Sequence, residues 1–274
     1  MNHSEVTKID VAKVLKTKAP KTRVPKLIIN LLRRIVHEEQ FNQLFEDNYG
    51  VKNLNFIEKS LEMFGITSSI KGKENLPPKS GNYIFASNHP LGGLDGLAIG
   101  LLIGREYDGK VKLFTNDLLM YVEPLNELFI PVNKVGSQGK SHAESFQNFF
   151  DSDNHLITFP AGMCSRKLNG KIVDLEWKKN FISKAIQYQR DIVPVYFEGR
   201  NSRFFYYLAN LRKFLGIKLN IEMLFLPDEM FKQKGNHFII KIGKTIPWQT
   251  FDKSKSQLQW AQWVKEIVYK IGRT

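Results

Sequence analysis

The spacing of apolar residues is helical in the first part of the chain, up to Gly65, and changes to short β runs from Gly81 onward. Five aliphatic residues first recur at helical spacing behind Pro25, a residue favoured in the first turn of a helix: Leu27, Ile28, Leu31, Leu32 and Ile35. Residues 38–64 also have a helical pattern that ends at Gly65, whereas residues 1–24 are polar, basic and without clear periodicity. We therefore predict an N-terminal basic amphipathic helical region over 1–65, preceded by a mobile arm or a frayed helix.

From Gly81 onward, short β runs alternate with helical stretches. The predicted strands are Tyr83–Ser87, Val111–Thr115, Leu128–Val132, Leu156–Phe159, Ile192–Phe197 and Phe238–Ile242. The predicted helices are Leu94–Ile103, Asp117–Tyr121, His142–Phe150, Trp177–Gln189, Arg203–Leu215 and Lys255–Ile271. This alternation predicts an α/β domain over 66–274, with a largely parallel central sheet flanked by helices.

Charge adds a preference for anionic partners. The net charge is +13, and residues 1–36 hold nine basic and two acidic residues. A second basic cluster has no acid between Gly199 and Ile221, and it consists of Arg200, Arg203, Arg212, Lys213 and Lys218. Such surfaces attract nucleic acid, anionic lipid headgroups or an acidic protein, and a merely solvated basic surface is the alternative.

Cysteine usage and hydropathy restrict the location of the protein. Cys164 is the only cysteine, so an intrachain disulfide is excluded and a reducing compartment is allowed. The N-terminus has no apolar stretch behind its charges, unlike a secretory signal, and no run approaches the roughly 20 apolar residues that span a bilayer. The helix around Leu27–Ile35 either lies in a lipid interface or packs on the domain core, and both interpretations stay open.

Candidate chemistry is concentrated where the strand Tyr83–Ser87 ends. It runs into Asn88-His89-Pro90-Leu91-Gly92-Gly93-Leu94-Asp95-Gly96. Ligands of open α/β sheets bind beyond the carboxyl ends of strands, so His89 is placed where chemistry usually happens. A His–Asp pair is a good general base, since the carboxylate fixes the tautomer and supports the imidazolium. The alternative is a hydrogen-bonded loop histidine with Asp95 capping its helix.

This motif resembles the signature of the glycerolipid (lysophospholipid) acyltransferase superfamily, and more closely its haemolysin-like branch. The common signature has four residues between His and Asp; this chain has five, as in that branch, and the double glycine absorbs the extra one. The resemblance implies that His89 and Asp95 are catalytic.

Three later segments match the family in order, so the resemblance covers roughly residues 80–200. Leu128-Phe129-Ile130-Pro131-Val132-Asn133 resembles the second block, Phe159-Pro160-Ala161-Gly162-Met163-Cys164-Ser165-Arg166 the third, and Ile192-Val193-Pro194-Val195-Tyr196 the fourth. The resemblance implies that these blocks bind substrate, through Asn133, Lys134, Phe159, Pro160, Ala161, Gly162, Ser165 and Arg166. Cys164 is expected to be a small buried thiol rather than a nucleophile.

Two departures from the family pattern bear on the acceptor. Where the family's second-block arginine and third-block glutamate help to hold glycerol phosphate, this chain has Asn133 and Ala161. Asparagine carries no charge, so an acceptor other than lysophosphatidate is indicated, with Arg166 and Lys134 as candidates for an anion such as a carboxylate. The branch includes O-acyltransferases of ornithine- and glycine-lipid synthesis, so we predict O-acylation of an N-(3-hydroxyacyl) amino acid. Lysophosphatidate acylation is the alternative.

The expected partners follow from this reaction. The donor is a thioester of acyl carrier protein or coenzyme A, which is a co-substrate, and no cofactor is expected. No Cys–His cluster has metal-ligand spacing, so no metal is expected. A lysolipid acceptor and an anionic membrane surface imply a cytoplasmic protein, peripheral on the inner face of the cell membrane. Nucleic acid is not expected, because no nucleic-acid-binding signature occurs. A non-catalytic basic protein that binds lipid or nucleic acid is the alternative of another class.

Overall fold

The structure is a computed structural model, which describes residues 8–18, 20, 23–115, 119–131 and 146–273. Its helices are α1 Val11–Lys18, α2 Lys26–Ile35, α3 Glu38–Asp47, α4 Asn53–Met63, α5 Gly93–Glu106, α6 (described over 146–150), α7 Asn180–Gln187, α8 Arg203–Phe214, α9 Leu226–Phe231 and α10 Gln257–Arg273. Its strands are β1 Thr67–Lys71, β2 Tyr83–Ser87, β3 Val111–Thr115, β4 Phe129–Pro131, β5 His155–Thr158, β6 Arg166–Leu168, β7 Lys171–Val173, β8 Asp191–Phe197 and β9 His237–Ile242.

The predicted α/β class with a largely parallel sheet is confirmed. Seven of the strands in the described residues form one sheet in the order β1-β9-β8-β2-β5-β3-β4. From β8 to β4 all neighbours are parallel, whereas β9 runs antiparallel to β8 and pairs in parallel with β1. The antiparallel end of the sheet was not predicted. Strand β1 was missed because its residues Thr67–Lys71 are mostly exposed on an edge and lack an apolar pattern.

Side chains of the central strands alternate between two hydrophobic cores. Phe85 of β2 lies in one core with residues of α4 and α5, whereas Ile84 and Ala86 lie in the other with residues of α7 and α10. A strand that is buried on both faces has a nearly continuous apolar run, as residues 83–86 of β2 do. The sheet is therefore covered by helices on both faces, and its polar groups are concentrated at the strand ends.

The N-terminal helices differ in how they meet the domain. Leu44 of α3 and Phe56 and Ile57 of α4 belong to the core that contains Phe85, whereas α2 has no buried residue. The boundary at residue 65 stays a prediction, although this core extends across it. In the described residues, no helix combines the length and the apolar character that crossing a membrane requires.

Candidate active site

His89 lies on the loop from β2 to α5, directly beyond the carboxyl end of a central strand. Asn88 ties this loop to β8, because its side-chain amide donates to the carbonyl of Phe197 (3.0 Å) and its side-chain oxygen accepts from the amide of Phe197 (2.7 Å). Gly92 turns the chain with a φ of 80°, and a Cβ there would lie 2.9 Å from a methyl group of Leu226. Glycine is therefore the residue that fits this turn.

Asp95 lies in the first turn of α5 and reaches back to His89. The Nδ1 atom of His89 is 2.9 Å from Oδ1 of Asp95, whose carboxylate is completely buried. The other carboxylate oxygen accepts a hydrogen bond of 2.8 Å from the backbone amide of Leu91. The positive end of the helix dipole also favours a negative charge here. The imidazole is thus oriented with Nδ1 toward the carboxylate, and Nε2 is the nitrogen that can take a proton from a substrate.

The ring of Phe159 packs against the imidazole. The two ring centroids are 4.1 Å apart and the planes are 25° from parallel, which is a stacked arrangement. The side chain of His89 is 18% exposed, so most of the imidazole is covered. Phe159 belongs to the predicted substrate-binding residues, and the structure places it beside the predicted base.

The charges around His89 set its protonation. Burial lowers the pKa of the imidazole, but the Asp95 carboxylate raises it through its charge and its contact with the ring. Asp174 adds to the increase and Arg166 opposes it, so that the pKa of His89 lies above its ordinary value of 6.5. A carboxylate that raises the pKa of an imidazole also makes it a stronger base, which suits general-base catalysis.

Asp174 is a second buried carboxylate at this site, and the sequence analysis missed it. Its Oδ1 accepts hydrogen bonds from the backbone amide of His89 (3.2 Å) and from the hydroxyl of Ser165 (2.6 Å). Its Oδ2 accepts from the indole N–H of Trp177 (2.8 Å). Burial raises the pKa of Asp174, and these hydrogen bonds oppose the increase. Through these hydrogen bonds, the Asp174 carboxylate connects the loop that carries His89 to Ser165 of the third block.

Helix α10 anchors the backbone of Asp174. The amide of Asp174 donates to the hydroxyl of Tyr269 (2.7 Å), and the ammonium group of Lys265 donates to its carbonyl (2.8 Å). These partners lie about ninety residues away in sequence, so no local motif reveals the contact. The sequence offered only a weak signal for Asp174 as a site residue, namely an aspartate between the apolar residues Val173 and Leu175.

The remaining third-block residues form a turn beside the histidine. Ser165 is buried, and its backbone amide donates to the carbonyl of His89 (2.7 Å). Ala161 is buried in the core with Trp177. The carbonyl of Pro160 accepts from the amide of Lys178 (2.9 Å), and the amide of Gly162, at a φ of 69°, donates to the carbonyl of Phe159 (2.9 Å). That amide closes the turn, so it is engaged before any substrate binds.

Arg166 is buried in a charge network next to the site. Its guanidinium donates to Glu222 (2.9 Å) and to the carbonyl of Cys164 (2.7 Å). Glu222 is completely buried and also pairs with Arg212 (2.9 Å). A direct contact between Arg166 and substrate stays a prediction, and it requires this network to open. Burial raises the pKa of the Cys164 thiol to about 11, so this thiol is a poor nucleophile near neutral pH.

The second block lies only partly within the described residues. Phe129–Pro131 forms the edge strand β4, which is separated from β2 by the two strands β5 and β3. Asn133 and Lys134 lie outside the described residues, as do residues 142–145 of the predicted helix His142–Phe150. Within the part of the chain that is described, no group of three or more histidine, cysteine, aspartate or glutamate side chains is placed to hold a metal ion.

Comparisons with known proteins find similar sequences along almost the whole chain. A family model described as "Acyltransferase" matches residues 13–272. The chain is 53% identical over 265 residues to a lyso-glycine lipid O-acyltransferase of Bacteroides thetaiotaomicron, covering 96% of this chain and 97% of that protein. It is 49% identical over 273 residues to a protein of the same name from Phocaeicola vulgatus, covering 99% and 98%.

Among solved structures, the chain is similar to the 1-acyl-sn-glycerophosphate (LPA) acyltransferase PlsC of Thermotoga maritima. The sequence identity is 17% and the TM-score is 0.47, over 90% of this chain and 93% of that one.

Proposed function

Because the chain belongs to the acyltransferase family, we propose that it esterifies the hydroxyl of a lyso-aminolipid with a fatty acyl group, using His89 as general base. It is an O-acyltransferase, and the contact between His89 and Asp95 supports the proposed mechanism best. This contact orients the imidazole at the strand end, leaves Nε2 for the acceptor hydroxyl and places a buried carboxylate where it stabilises the imidazolium.

The proposed reaction is a direct transfer. Nε2 of His89 removes the proton of the acceptor hydroxyl while its oxygen attacks the carbonyl carbon of an acyl thioester. Collapse of the tetrahedral intermediate breaks the carbon–sulfur bond, and the thiolate leaves with the proton that His89 returns. The products are an ester and a free thiol. Asp95 stays ionised throughout and supports the transient positive charge on the ring.

For the acceptor we propose an N-(3-hydroxyacyl)glycine, in keeping with the names of the two relatives. Ala161 is apolar and buried, and Asn133 is uncharged, so both positions lack the charge that suits a glycerol phosphate. The donor in this proposal is acyl carrier protein or coenzyme A thioester. The basic surface suits an acidic carrier protein, and it also suits anionic lipid.

The acceptor assignment is tested by a competition assay. We expect the purified protein, given an acyl thioester and detergent-dispersed acceptors, to acylate N-(3-hydroxyacyl)glycine at least about tenfold faster than lysophosphatidate, because a site built without phosphate ligands loses that binding energy. Mass spectrometry of the diester products measures both rates in one reaction. A faster rate with lysophosphatidate would make phospholipid synthesis the function. If neither diester formed, acyl transfer to both acceptors would be contradicted.

The proposed location is the inner face of the cell membrane, with the protein as a peripheral component. The substrates are membrane lipids, and α2 supports this placement because Leu27, Ile28 and Leu31 are exposed beside Lys26 and Arg33. Aliphatic side chains flanked by cations are the pattern of an interfacial helix.

For Asp174 we propose a positioning role, which the pH profile tests. Only neutral His89 acts as a base, so we expect kcat/KM of the wild type to rise with pH through a midpoint above 6.5, since the pKa of His89 is raised. In Asp174→Asn the midpoint should move to lower pH, because one of the charges that raises the pKa is lost. Ser165→Ala is the matched control: it removes a hydrogen bond to Asp174 but no charge, so its midpoint should stay in place. An unchanged midpoint in Asp174→Asn would contradict this role.

A further inference from the structure

The end of α8 exposes an apolar segment that the proposed catalytic site does not use. Residues 213–219, here called the tip, read Lys-Phe-Leu-Gly-Ile-Lys-Leu and are exposed throughout. Phe214 is 86% exposed, Leu219 is 70% and Leu215 is 58%. Consecutive large apolar side chains are unusual on a surface that meets only water, and such patches mark sites of interaction.

The tip is an ordered turn rather than a frayed helix end. The amide of Ile217 donates to the carbonyl of Arg212 (3.1 Å), and the amide of Gly216, at a φ of 68°, donates to the carbonyl of Lys213 (3.1 Å). The guanidinium of Arg212 donates to the carbonyl of Ile217 (2.8 Å) and pairs with buried Glu222 (2.9 Å). The backbone is thus held from inside the domain while the apolar side chains point into solvent.

Two lysines lie among these apolar side chains. Lys213 and Lys218 lie within the tip, and Arg200 and Arg203 are exposed at the start of the same segment. No acid lies between Gly199 and Ile221, so residues 199–221 have a net positive charge. Apolar side chains that insert, flanked by cations that bind headgroups, fit the interface of an anionic bilayer. An acidic carrier protein would satisfy the cations, but it would leave the large exposed aliphatic and aromatic surface unexplained.

The tip also adjoins the elements that meet lipid in the proposed function. The 3₁₀ turn Ile221–Phe225 follows the tip, packs against both α8 and α2, and exposes Leu224. The inner face of α8 packs on the third block, where Phe205 lies against Cys164 and under the guanidinium of Arg166. Helix α8 therefore connects the tip to the third block.

We propose that the tip is a second membrane anchor, in which Phe214, Leu215 and Leu219 insert into an anionic lipid interface and Lys213 and Lys218 bind its headgroups. This inference rests on the proposed peripheral location. It assigns that location to a surface formed by two segments far apart in sequence, α2 and the tip. Insertion at the tip would set the orientation of the domain on the bilayer, because two separated anchors restrict rotation.

The experiment labels the tip of the full chain. Phe214→Cys is modified with an environment-sensitive fluorophore, and Cys164 does not compete because it is completely buried. We expect a blue shift on adding vesicles of phosphatidylglycerol and phosphatidylcholine, and a much smaller one with phosphatidylcholine alone. Leu258→Cys on α10, where the side chain is 40% exposed, is the matched control and should show no shift. Absence of a shift at position 214 would overturn the proposal.

Vesicle flotation separates the tip from the wider membrane proposal. The double variant Phe214→Ser/Leu219→Ser should partition roughly tenfold or more weakly than the wild type, and should keep its activity on detergent-dispersed acceptor. If the wild type floats and the double variant floats equally well, the tip is not an anchor but membrane association stands. If the wild type does not float, both fail. If the variant floats normally but reacts more slowly only with acyl carrier protein thioester, the tip is a donor-docking surface and the lipid proposal is wrong.

Discussion

Replacing His89 with alanine is expected to lower kcat by roughly 10²- to 10⁴-fold and to change KM for the acceptor little. The imidazole acts on the proton of the acceptor hydroxyl, so its contribution arises mainly in the transition state, and general-base catalysis typically contributes this factor. Release of free thiol from the acyl thioester, followed continuously on detergent-dispersed acceptor, measures the rate. A thermal unfolding curve of each variant shows whether the loss reflects unfolding.

The chain contains a matched control for this experiment. His37 also lies against an aspartate, with its Nε2 3.0 Å from Oδ1 of Asp228, but it stacks on Phe231 outside the candidate active site. His37→Ala removes a His–Asp contact of almost the same length, so kcat should stay within a few-fold of the wild type. Equal losses in the His37 and His89 variants would mean that stability, not catalysis, explains both. Retained activity in His89→Ala would refute the proposed mechanism directly.

Replacing Glu222 with glutamine is expected to lower the free energy of unfolding by about 3–5 kcal/mol. Glu222 is completely buried between Arg166 and Arg212, at 2.9 Å from each guanidinium. Glutamine has nearly the same shape but no charge, so it leaves two largely buried cations without a counter-charge. Breaking a buried ion pair from one side is costly because the remaining charge cannot recover its hydration.

Urea denaturation of the variant measures this change, and Glu127→Gln is its matched control. Glu127 is 64% exposed and lies 3.9 Å from Lys52, so its loss should change the free energy of unfolding by less than about 1 kcal/mol. A similarly small change in Glu222→Gln would show that the buried network does not stabilise the fold. We also expect two functional effects in folded Glu222→Gln. Its activity should be weaker, because Arg166 is next to Ser165 in the candidate active site. Its vesicle binding should be weaker, because Arg212 holds the backbone of the tip.

Much of the fold was predictable because the central strands can be recognised from runs of apolar residues that are local in the sequence. Tyr83–Ser87 and Val111–Thr115 match the predicted bounds, and α8 ends one residue before the predicted Leu215. The predicted helical stretch 38–64 is in fact two helices, α3 and α4, between which Gly50 has a φ of 79°. The hairpin of β6 and β7 was missed, since strands of three residues have too few positions to show a period.

In the candidate site too, the residues that are close together in sequence were predictable and those that meet through distant segments were not. His89 and Asp95 were predictable because they lie on one short loop, where chain geometry restricts how far apart they can be. Glu222 and Asp174 were not, since each meets its partners only through contacts between distant segments. Arg166 shows the difference clearly: as a cation in a motif it suggested a substrate contact, and the structure places it in a buried network.

By itself, the sequence determined the α/β class, the histidine at the end of β2, the aspartate that orients it and the basic character of residues 200–218. These properties depend on residue type and short spacing, which folding does not alter. Only the tertiary structure decided that Asp174 holds the backbone of His89, that Glu222 neutralises two arginines and that the tip stands exposed before a turn that packs against α2. Burial and charge pairing are properties of the space between segments, and that space is defined only when distant parts of the chain pack together.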